Sequence, residues 1–128
     1  EHRSFGQELA LCQRYYYRHA TGADTSNDYS IATFATYQAN DIFGMVDLPV
    51  TMRANPSIDQ VTGSSYYKVY RDGSSDSFNS FLLEPASDSN RCGIYAYQNI
   101  SGTSGQTGIV RCNGAAPSGG QIDFNAEL

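Results

Sequence analysis

Residues that commonly carry catalysis are scarce in this sequence. It contains only His2 and His19, and neither histidine belongs to an HxH, HExxH or nucleophile-elbow motif. There is also no glycine-rich loop of the kind that binds phosphate. The carboxylates lie mostly among turn residues, where Asp commonly hydrogen-bonds to the backbone. We therefore expect no enzyme activity. Paired carboxylates for glycoside hydrolysis stay an open alternative, because such a pair is assembled in space and leaves no sequence signature.

Two acidic loops contain side chains of the types that commonly bind calcium. They are "DTSND" at residues 24–28 and "DGSSD" at residues 72–76, and neither has the full spacing of an EF-hand loop. The three cysteines, Cys12, Cys92 and Cys112, form no CxxC or Cys/His pattern. We predict no metal site and no cofactor. Calcium in one of these loops and a disulfide between Cys92 and Cys112 are the alternatives.

Two tyrosine-rich segments have the composition of a sugar-binding surface. Sugar rings have apolar faces and outward hydroxyls, so such a surface combines aromatic rings with amides or carboxylates. These groups occur together in "SSYYKVYRDG" at residues 64–73 and in "YAYQN" at residues 95–99. Tyrosines that alternate along a strand also pack in cores and in cross-strand pairs, which is the competing interpretation. The predicted ligand-binding residues are Tyr66, Tyr70, Asp72, Tyr95 and Tyr97.

A third aromatic segment, "RYYYR" at residues 14–18, places three tyrosines between two arginines. Arginine supplies seven of the eight basic residues, and its planar guanidinium suits subunit interfaces. We interpret this segment and the corner near residue 52 as structural, in the core or between subunits. We also expect Phe5, Leu9 and one tyrosine face to be buried against the core. The predicted interface residues are Arg14, Tyr15, Tyr17, Arg18, Met52 and Arg53.

The overall composition limits the fold and the partners. A chain of 128 residues has the size of one domain. The 13 acidic residues outnumber the 8 basic ones, giving a net charge of −5. This balance argues against nucleic-acid binding, which depends on clustered Lys and Arg. No apolar run reaches 18 residues, so we expect no membrane insertion. Because the chain begins without methionine, we expect it to be part of a longer protein.

One segment is predicted to be helical. Ser4 and Gln7 have the spacing of a capping box, and apolar residues then recur at helical intervals. These signals predict a helix over Phe5–Gln13. The consecutive aromatics that follow fit a pleated surface better than a helix, so a strand is predicted at residues 14–19.

The remainder of the chain is typical of short strands separated by turns. An Asp-Gly turn is expected at residues 72–73, and the segment between Pro49 and Pro56 suits an edge or a corner. The last segment, "QIDFNAEL", places Ile122 and Phe124 on one face and Asp123 on the other. The other predicted strands are residues 31–37, 42–48, 57–61, 66–71, 78–83, 93–98 and 108–112.

Nine short strands and one helix predict an all-β fold. The expected architecture is an antiparallel β-sandwich, jelly-roll-like, with one short N-terminal helix. Residues 1–128 are expected to form this single domain, with no internal repeat or linker.

Three anchors in the sequence carry a resemblance to a known family. They are "EHRSFGQELALCQRYYYR" at the start, "LPVTMRANPSI" at residues 48–58, and the closing "DFNAEL". Together they resemble the C-terminal module of bacteriophage tail-fibre and other virion appendage proteins, especially those of marine phages. The middle, residues 63–106, matches no part of that pattern, and it is where a receptor-facing surface is expected to vary.

The resemblance implies a non-enzymatic structural protein of the virion. Such a protein forms a homotrimer, serves as the tip of a tail fibre or head fibre, and takes part in host recognition. The implied partners are other virion proteins and a host cell-surface polysaccharide or lipopolysaccharide. The implied location is the virion, which is assembled in the host cytoplasm and later exposed outside the cell. A capsid decoration protein and a glycan-depolymerising enzyme domain are the alternatives.

Overall fold

The structure is a computed structural model, which describes residues 3–21, 30–97, 100–113 and 120–127. The described residues form one helix, α1 (Phe5–Gln13), and ten strands. This helix is too short and too polar to cross a membrane, and the described residues contain no other. The strands are β1 (Tyr16–Thr21), β2 (Ser30–Gln38), β3 (Asp41–Asp47), β4 (Ser57–Val61), β5 (Tyr67–Arg71), β6 (Ser74–Phe78), β7 (Leu82–Leu83), β8 (Arg91–Ala96), β9 (Thr107–Cys112) and β10 (Gln121–Asn125).

The strands form two antiparallel sheets. The small sheet has three strands in the order β1-β10-β4, and the large sheet has seven in the order β6-β5-β9-β2-β3-β8-β7. Apolar side chains from both sheets form one core cluster. The prediction of an all-β antiparallel sandwich with one short N-terminal helix is therefore confirmed. A jelly roll has eight strands, whereas the ten described strands of this protein form one sheet of three strands and one of seven.

Helix α1 begins and ends where the sequence predicts, and its capping box is formed. Ser4 Oγ accepts from the Gln7 amide at 3.2 Å, while the Gln7 side chain accepts from the Ser4 amide at 3.0 Å. The expected burial of its apolar residues is wrong. Phe5 is 82% exposed and Leu9 is 45% exposed, and no residue of the helix is buried. The strands fill the core themselves, so the helix lies outside it.

The corner between the two prolines connects the large sheet to the small one. Residues 48–56 contain no strand, as the two prolines indicate. The Met52 amide donates to the carbonyl of Ser89 at 2.9 Å, and the Met52 side chain is only 3% exposed. Met52 therefore belongs to the core, and the prediction that it lies at a subunit interface is corrected. The buried Met52 side chain thus anchors this corner to the core.

The Asp-Gly turn forms as predicted, but the strand that follows it was missed. Asp72 has φ 47° and Gly73 has φ 71°, the combination of a two-residue hairpin turn between β5 and β6. The sequence of β6, "SSDSF", is polar enough to be mistaken for a loop. Pairing with β5 makes it a strand, because the hairpin aligns the two backbones.

Tyr67 connects the two sheets through the core. Its side chain is fully buried, and its hydroxyl lies 2.6 Å from the carbonyl oxygen of Val61 and 2.8 Å from that of Gln121. Phe78 and Phe81 pack against its ring, with centroid distances of 5.8 and 4.9 Å. Burial raises the pKa of the Tyr67 phenol. The large sheet is thus hydrogen-bonded to the backbone of the small one within the core.

Candidate ligand-binding surface

The outer face of the large sheet is the surface of interest. Along β3 and β8, successive side chains alternate between the core and this face. Phe43 lies opposite Tyr95 in the register of these two strands, and Tyr95 lies opposite Leu82 of β7. Antiparallel pairing therefore aligns large side chains from three strands in one row across the sheet.

Four aromatic rings on this face form a continuous group, here called the aromatic strip: Tyr37, Phe43, Tyr95 and Tyr97. The rings of Tyr37 and Phe43 are stacked, with centroids 5.3 Å apart and planes 7° apart. Phe43 contacts the edge of Tyr95 at 5.5 Å, and Tyr95 stacks on Tyr97 at 6.4 Å. Tyr37 is 63% exposed and Tyr97 is 48% exposed. The two ends of the strip are thus the most accessible to a ligand.

Apolar side chains extend this surface on both sides. Leu82 is 40% exposed and Met45 is 57% exposed. A contiguous apolar group of this kind, held on a rigid sheet, is typical of an interaction surface, whereas single exposed apolar residues are ordinary. The strip presents ring faces for apolar contact and phenol hydroxyls for hydrogen bonds.

A small pocket adjoins the strip beside Phe43. Its volume is about 260 Å³, and Gly93 and Glu84 contribute to its lining together with Gly44, Met45 and Ala86. Most of the lining is apolar carbon. The pocket lies where Gly93, which has no side chain, faces outward between Met45 and Glu84.

The structure separates four of the five predicted ligand-binding residues into two places and puts the fifth in neither. Tyr95 and Tyr97 belong to the aromatic strip. Tyr70 and Asp72 line a different groove of about 500 Å³ beside the β5–β6 turn. Tyr66 is half-buried against the core and belongs to neither place. The prediction thus includes exposed residues at both places, while only the strip combines several aromatic rings.

Sequence reasoning missed half of the strip. Tyr37 and Phe43 lie on β2 and β3, far along the chain from the two tyrosines that were predicted. A signal existed: Phe43 faces outward in a strand where Ile42 and Val46 face inward. An aromatic residue on the polar side of an alternating strand can be recognised before the fold is known.

The groove at the β5–β6 turn is built mainly from backbone and short polar side chains. The ring of Tyr70 lies under the Arg111 guanidinium, 4.8 Å from ring centroid to Cζ, and 5.6 Å from the Lys68 ammonium. Asp72 accepts a hydrogen bond from the Gln106 amide at 3.4 Å. Cations therefore already occupy the space around the one aromatic ring here, so this groove offers a sugar less apolar surface than the strip.

The predicted interface residues other than Met52 lie near one another around β1. The Arg53 guanidinium lies over the Tyr15 ring at 5.4 Å and donates to the carbonyl of Ala126 at 3.1 Å. Tyr15 is 46% exposed, and Arg14 and Arg18 are exposed as well. Tyr17 is half-buried against the core, so it contributes to packing within the chain.

A polar cluster that the sequence did not predict lies on the outer face of the small sheet. Asp123 is 1% exposed and accepts from Tyr16 Oη at 2.5 Å, Arg18 Nε at 3.2 Å and Gln121 Nε2 at 2.8 Å. The hydrogen bond to Asp123 and burial raise the pKa of Tyr16 to about 12. Asp59, the cross-strand neighbour of Asp123, has an oxygen 3.4 Å from the same phenol.

This cluster places two carboxylates near one phenol, and its geometry favours a structural role. Both oxygens of Asp123 are occupied by donors from its own chain, and the side chain has almost no exposed area. A catalytic carboxylate must reach the substrate directly or through one water molecule. Asp123 instead stabilises the pairing of β1 with β10, while Arg18 neutralises its charge.

The acidic side chains at residues 72–76 already have partners within the chain. Asp76 forms an ion pair with Arg71, and Asp72 bonds to a glutamine. The described part of the chain contains no group of three or more His, Cys, Asp or Glu side chains placed to hold a metal ion. The loop at residues 24–28 lies outside that part. Cys12, Cys92 and Cys112 are not joined by disulfides.

Comparisons with protein-family models, curated proteins and solved structures found no match to this chain. The resemblance to phage appendage modules therefore stays a prediction based on the three sequence anchors, and function has to be argued from the surface itself.

Proposed function

We propose that this protein is a non-enzymatic, glycan-binding β-sandwich module whose ligand lies along the aromatic strip. The observation that carries the proposal is the contiguous group of four rings on the outer face of the large sheet, with exposed rings at both ends. An apolar sugar face covers such rings, and the sugar's hydroxyls remain available to water and to the phenol groups. If a sheet of another protein bound here, we would expect a longer apolar patch than this strip, whereas a sugar needs only a few rings.

A single site of this kind binds weakly. Shallow contact with a few rings gives a dissociation constant on the order of millimolar. Several linked copies raise the overall avidity by roughly 10² to 10⁴ when their spacing matches the ligand. A polysaccharide with repeating units can occupy several sites of an oligomeric binder at once, which is the condition for this gain in avidity.

We propose further that the module belongs to a virion appendage, as the tip of a tail or head fibre, and forms a homotrimer. The sequence anchors support the virion assignment, and a capsid decoration protein is the alternative. The exposed apolar residues of α1 support the oligomer: Phe5, Leu9 and Leu11 are 82%, 45% and 37% exposed. Tyr15 and Arg53 lie next to this helix in the chain or in space and extend the surface. Host-cell polysaccharide or lipopolysaccharide remains the proposed ligand class.

Glycan binding is tested with an array of bacterial surface polysaccharides, followed by titration calorimetry on the best ligand. We expect Tyr37→Ala and Tyr97→Ala each to weaken binding at least tenfold, because each removes an exposed ring face. Val61→Ala is the matched control, since Val61 is 38% exposed but lies on β4 of the small sheet, away from both the strip and α1. Thermal melts of all variants show whether the fold is retained.

The same titrations distinguish the two places on the surface. Tyr70→Ala should leave affinity unchanged if the ligand binds the strip. Weaker binding in Tyr70→Ala, with normal binding in both strip variants, would move the site to the groove at the β5–β6 turn. Release of new reducing ends from the bound polysaccharide, abolished by one Asp or Glu substitution, would overturn the non-enzymatic assignment.

A further inference from the structure

We infer that the glycan bound at the aromatic strip carries an N-acetyl group, which enters the small pocket beside Phe43. This inference rests on the proposed glycan binding and adds the substituent that the site selects. The size of the pocket, its lining and the charges around it each support this assignment.

The pocket is smaller than a site that encloses a whole small ligand. Its volume of about 260 Å³ is below the roughly 300–1,000 Å³ of pockets that enclose a whole small ligand. Phe43 belongs both to the aromatic strip and to the pocket lining. A sugar ring stacked on the strip therefore places one of its substituents over the mouth of the pocket.

The space depends on the absence of a side chain at Gly93. A Cβ built there would lie 2.9 Å from Cβ and Cγ of Glu84 and 3.4 Å from Met45 Sδ. The Glu84 amide donates to the Gly93 carbonyl at 2.7 Å, which fixes the segment after β7 against β8. Backbone pairing thus holds the two walls at a constant separation.

The lining matches the two parts of an acetamido group. Phe43, Met45 and Ala86 supply apolar surface for a methyl group. The side chain of Glu84, which is half-exposed, forms no hydrogen bond or ion pair with the described residues, so its carboxylate is available to accept an N–H. A hydroxyl in the same place would satisfy the carboxylate but leave the apolar walls in contact with water.

The charges near the pocket favour a neutral substituent over an acidic one. The pocket lining contains no Lys or Arg among the described residues. Arg91, on the same strand as Gly93, is paired with Asp47 at 2.7 Å. With Glu84 unpaired and a net charge of −5, a uronate or phosphate at this position would be repelled. An N-acetyl group combines a methyl group and an N–H without negative charge.

Two tetrasaccharides with the same β-1,4 linkage test the inference. One is built from N-acetylglucosamine and the other from glucose, so they differ in the acetamido group at each ring. We expect the acetylated tetrasaccharide to bind about tenfold more tightly, the lower range for one methyl group in an apolar pocket. Titration calorimetry gives both dissociation constants.

Two variants locate the preference in the pocket. Ala86→Leu adds apolar volume at an exposed position and should reduce the preference to about unity, with glucose tetrasaccharide binding unchanged. Glu84→Met keeps the side-chain length but removes the acceptor, and should reduce the preference at least threefold. Melting temperatures near that of the parent protein show that both variants are folded.

The possible failures are distinguishable. Equal binding of the two tetrasaccharides through the strip, shown by sensitivity to Tyr97→Ala, would overturn the N-acetyl inference and leave glycan binding intact. A preference that survives Ala86→Leu would place the acetyl group elsewhere and likewise overturn it. Failure of the protein to bind either tetrasaccharide or any polysaccharide on the array would overturn the proposed function together with the inference.

Discussion

Removing the hydroxyl of Tyr67 is expected to weaken the fold at the connection between the two sheets. The hydroxyl is buried and lies 2.6 Å from the Val61 carbonyl oxygen, 2.8 Å from the Gln121 carbonyl oxygen and 3.2 Å from the Gln121 amide nitrogen. One proton serves one carbonyl at a time, so Tyr67→Phe removes about one donated and one accepted hydrogen bond. The phenylalanine ring keeps the packing against Phe78 and Phe81.

The magnitude follows from what the substitution leaves behind. A typical hydrogen bond contributes about 1 kcal/mol, and a buried group left without a partner costs about 1–3 kcal/mol. We therefore expect Tyr67→Phe to lower the free energy of unfolding by about 2–3 kcal/mol. For a domain of this size, a loss of about 1 kcal/mol lowers Tm by roughly 4 °C, so the expected decrease is roughly 10 °C.

Urea denaturation followed by circular dichroism measures this loss. The midpoint should fall while the slope of the transition stays unchanged, because the surface exposed on unfolding is the same. Tyr97→Phe is the matched control: its ring is 48% exposed, and its stability should stay within about 0.5 kcal/mol of the parent protein. A loss below about 0.5 kcal/mol for Tyr67→Phe would show that its hydroxyl does not hold the sheets together.

Three further predictions concern pH, thiol reactivity and assembly. The pKa of Tyr16 is raised from 10.0 to about 12, and that of Tyr67 is raised too. The stability that the two phenols contribute is therefore complete below pH 10 and is lost as pH rises towards 12, so urea midpoints should fall between pH 9 and 12. The exposed Cys12 should react with a thiol reagent in the native protein, whereas Cys92, fully buried and with a pKa raised by burial to about 11, should react only after unfolding. Leu9→Glu, on the exposed helix, should convert the proposed homotrimer to monomers in light scattering, while its circular dichroism spectrum stays that of the folded parent protein.

Each of these outcomes has a clear opposite. Urea midpoints that stay constant up to pH 12 would show that neither phenol is protected in the folded chain. Equal labelling rates for Cys12 and Cys92 in native buffer would contradict the burial of Cys92. A stable monomer at micromolar concentration before any substitution would refute the homotrimer, and Leu11→Glu is a second variant on the same helix.

Local signals in the sequence determined several elements correctly. Ser4 and Gln7 are three residues apart, so the hydrogen bonds of the helix cap form within one turn and need no tertiary contact. The turn at Asp72 and Gly73 likewise depends on two adjacent residues that accept positive φ. The fold class follows from many such short-range signals, because strands of this length and spacing favour two packed antiparallel sheets.

Tertiary structure decided which faces are covered. Phe5 and Leu9 have helical spacing, yet whether a partner covers that face depends on where α1 lies relative to a core that the strands already fill. Asp123 alternates outward as its sequence position predicts, but Tyr16 and Arg18 on a strand about a hundred residues away bury and neutralise it. Periodicity gives the direction of a side chain and carries no information about its distant neighbours.

The candidate site shows the same division. The sequence identified Tyr95 and Tyr97 as residues suited to a sugar, because their types and alternation are visible locally. Their junction with Phe43 and Tyr37 required the pairing of β8 with β3 and of β3 with β2, which places rings from three strands side by side. Residue types were therefore determined by the sequence alone, whereas the continuous aromatic surface arises only from strand register, since register depends on the packing of the whole sheet.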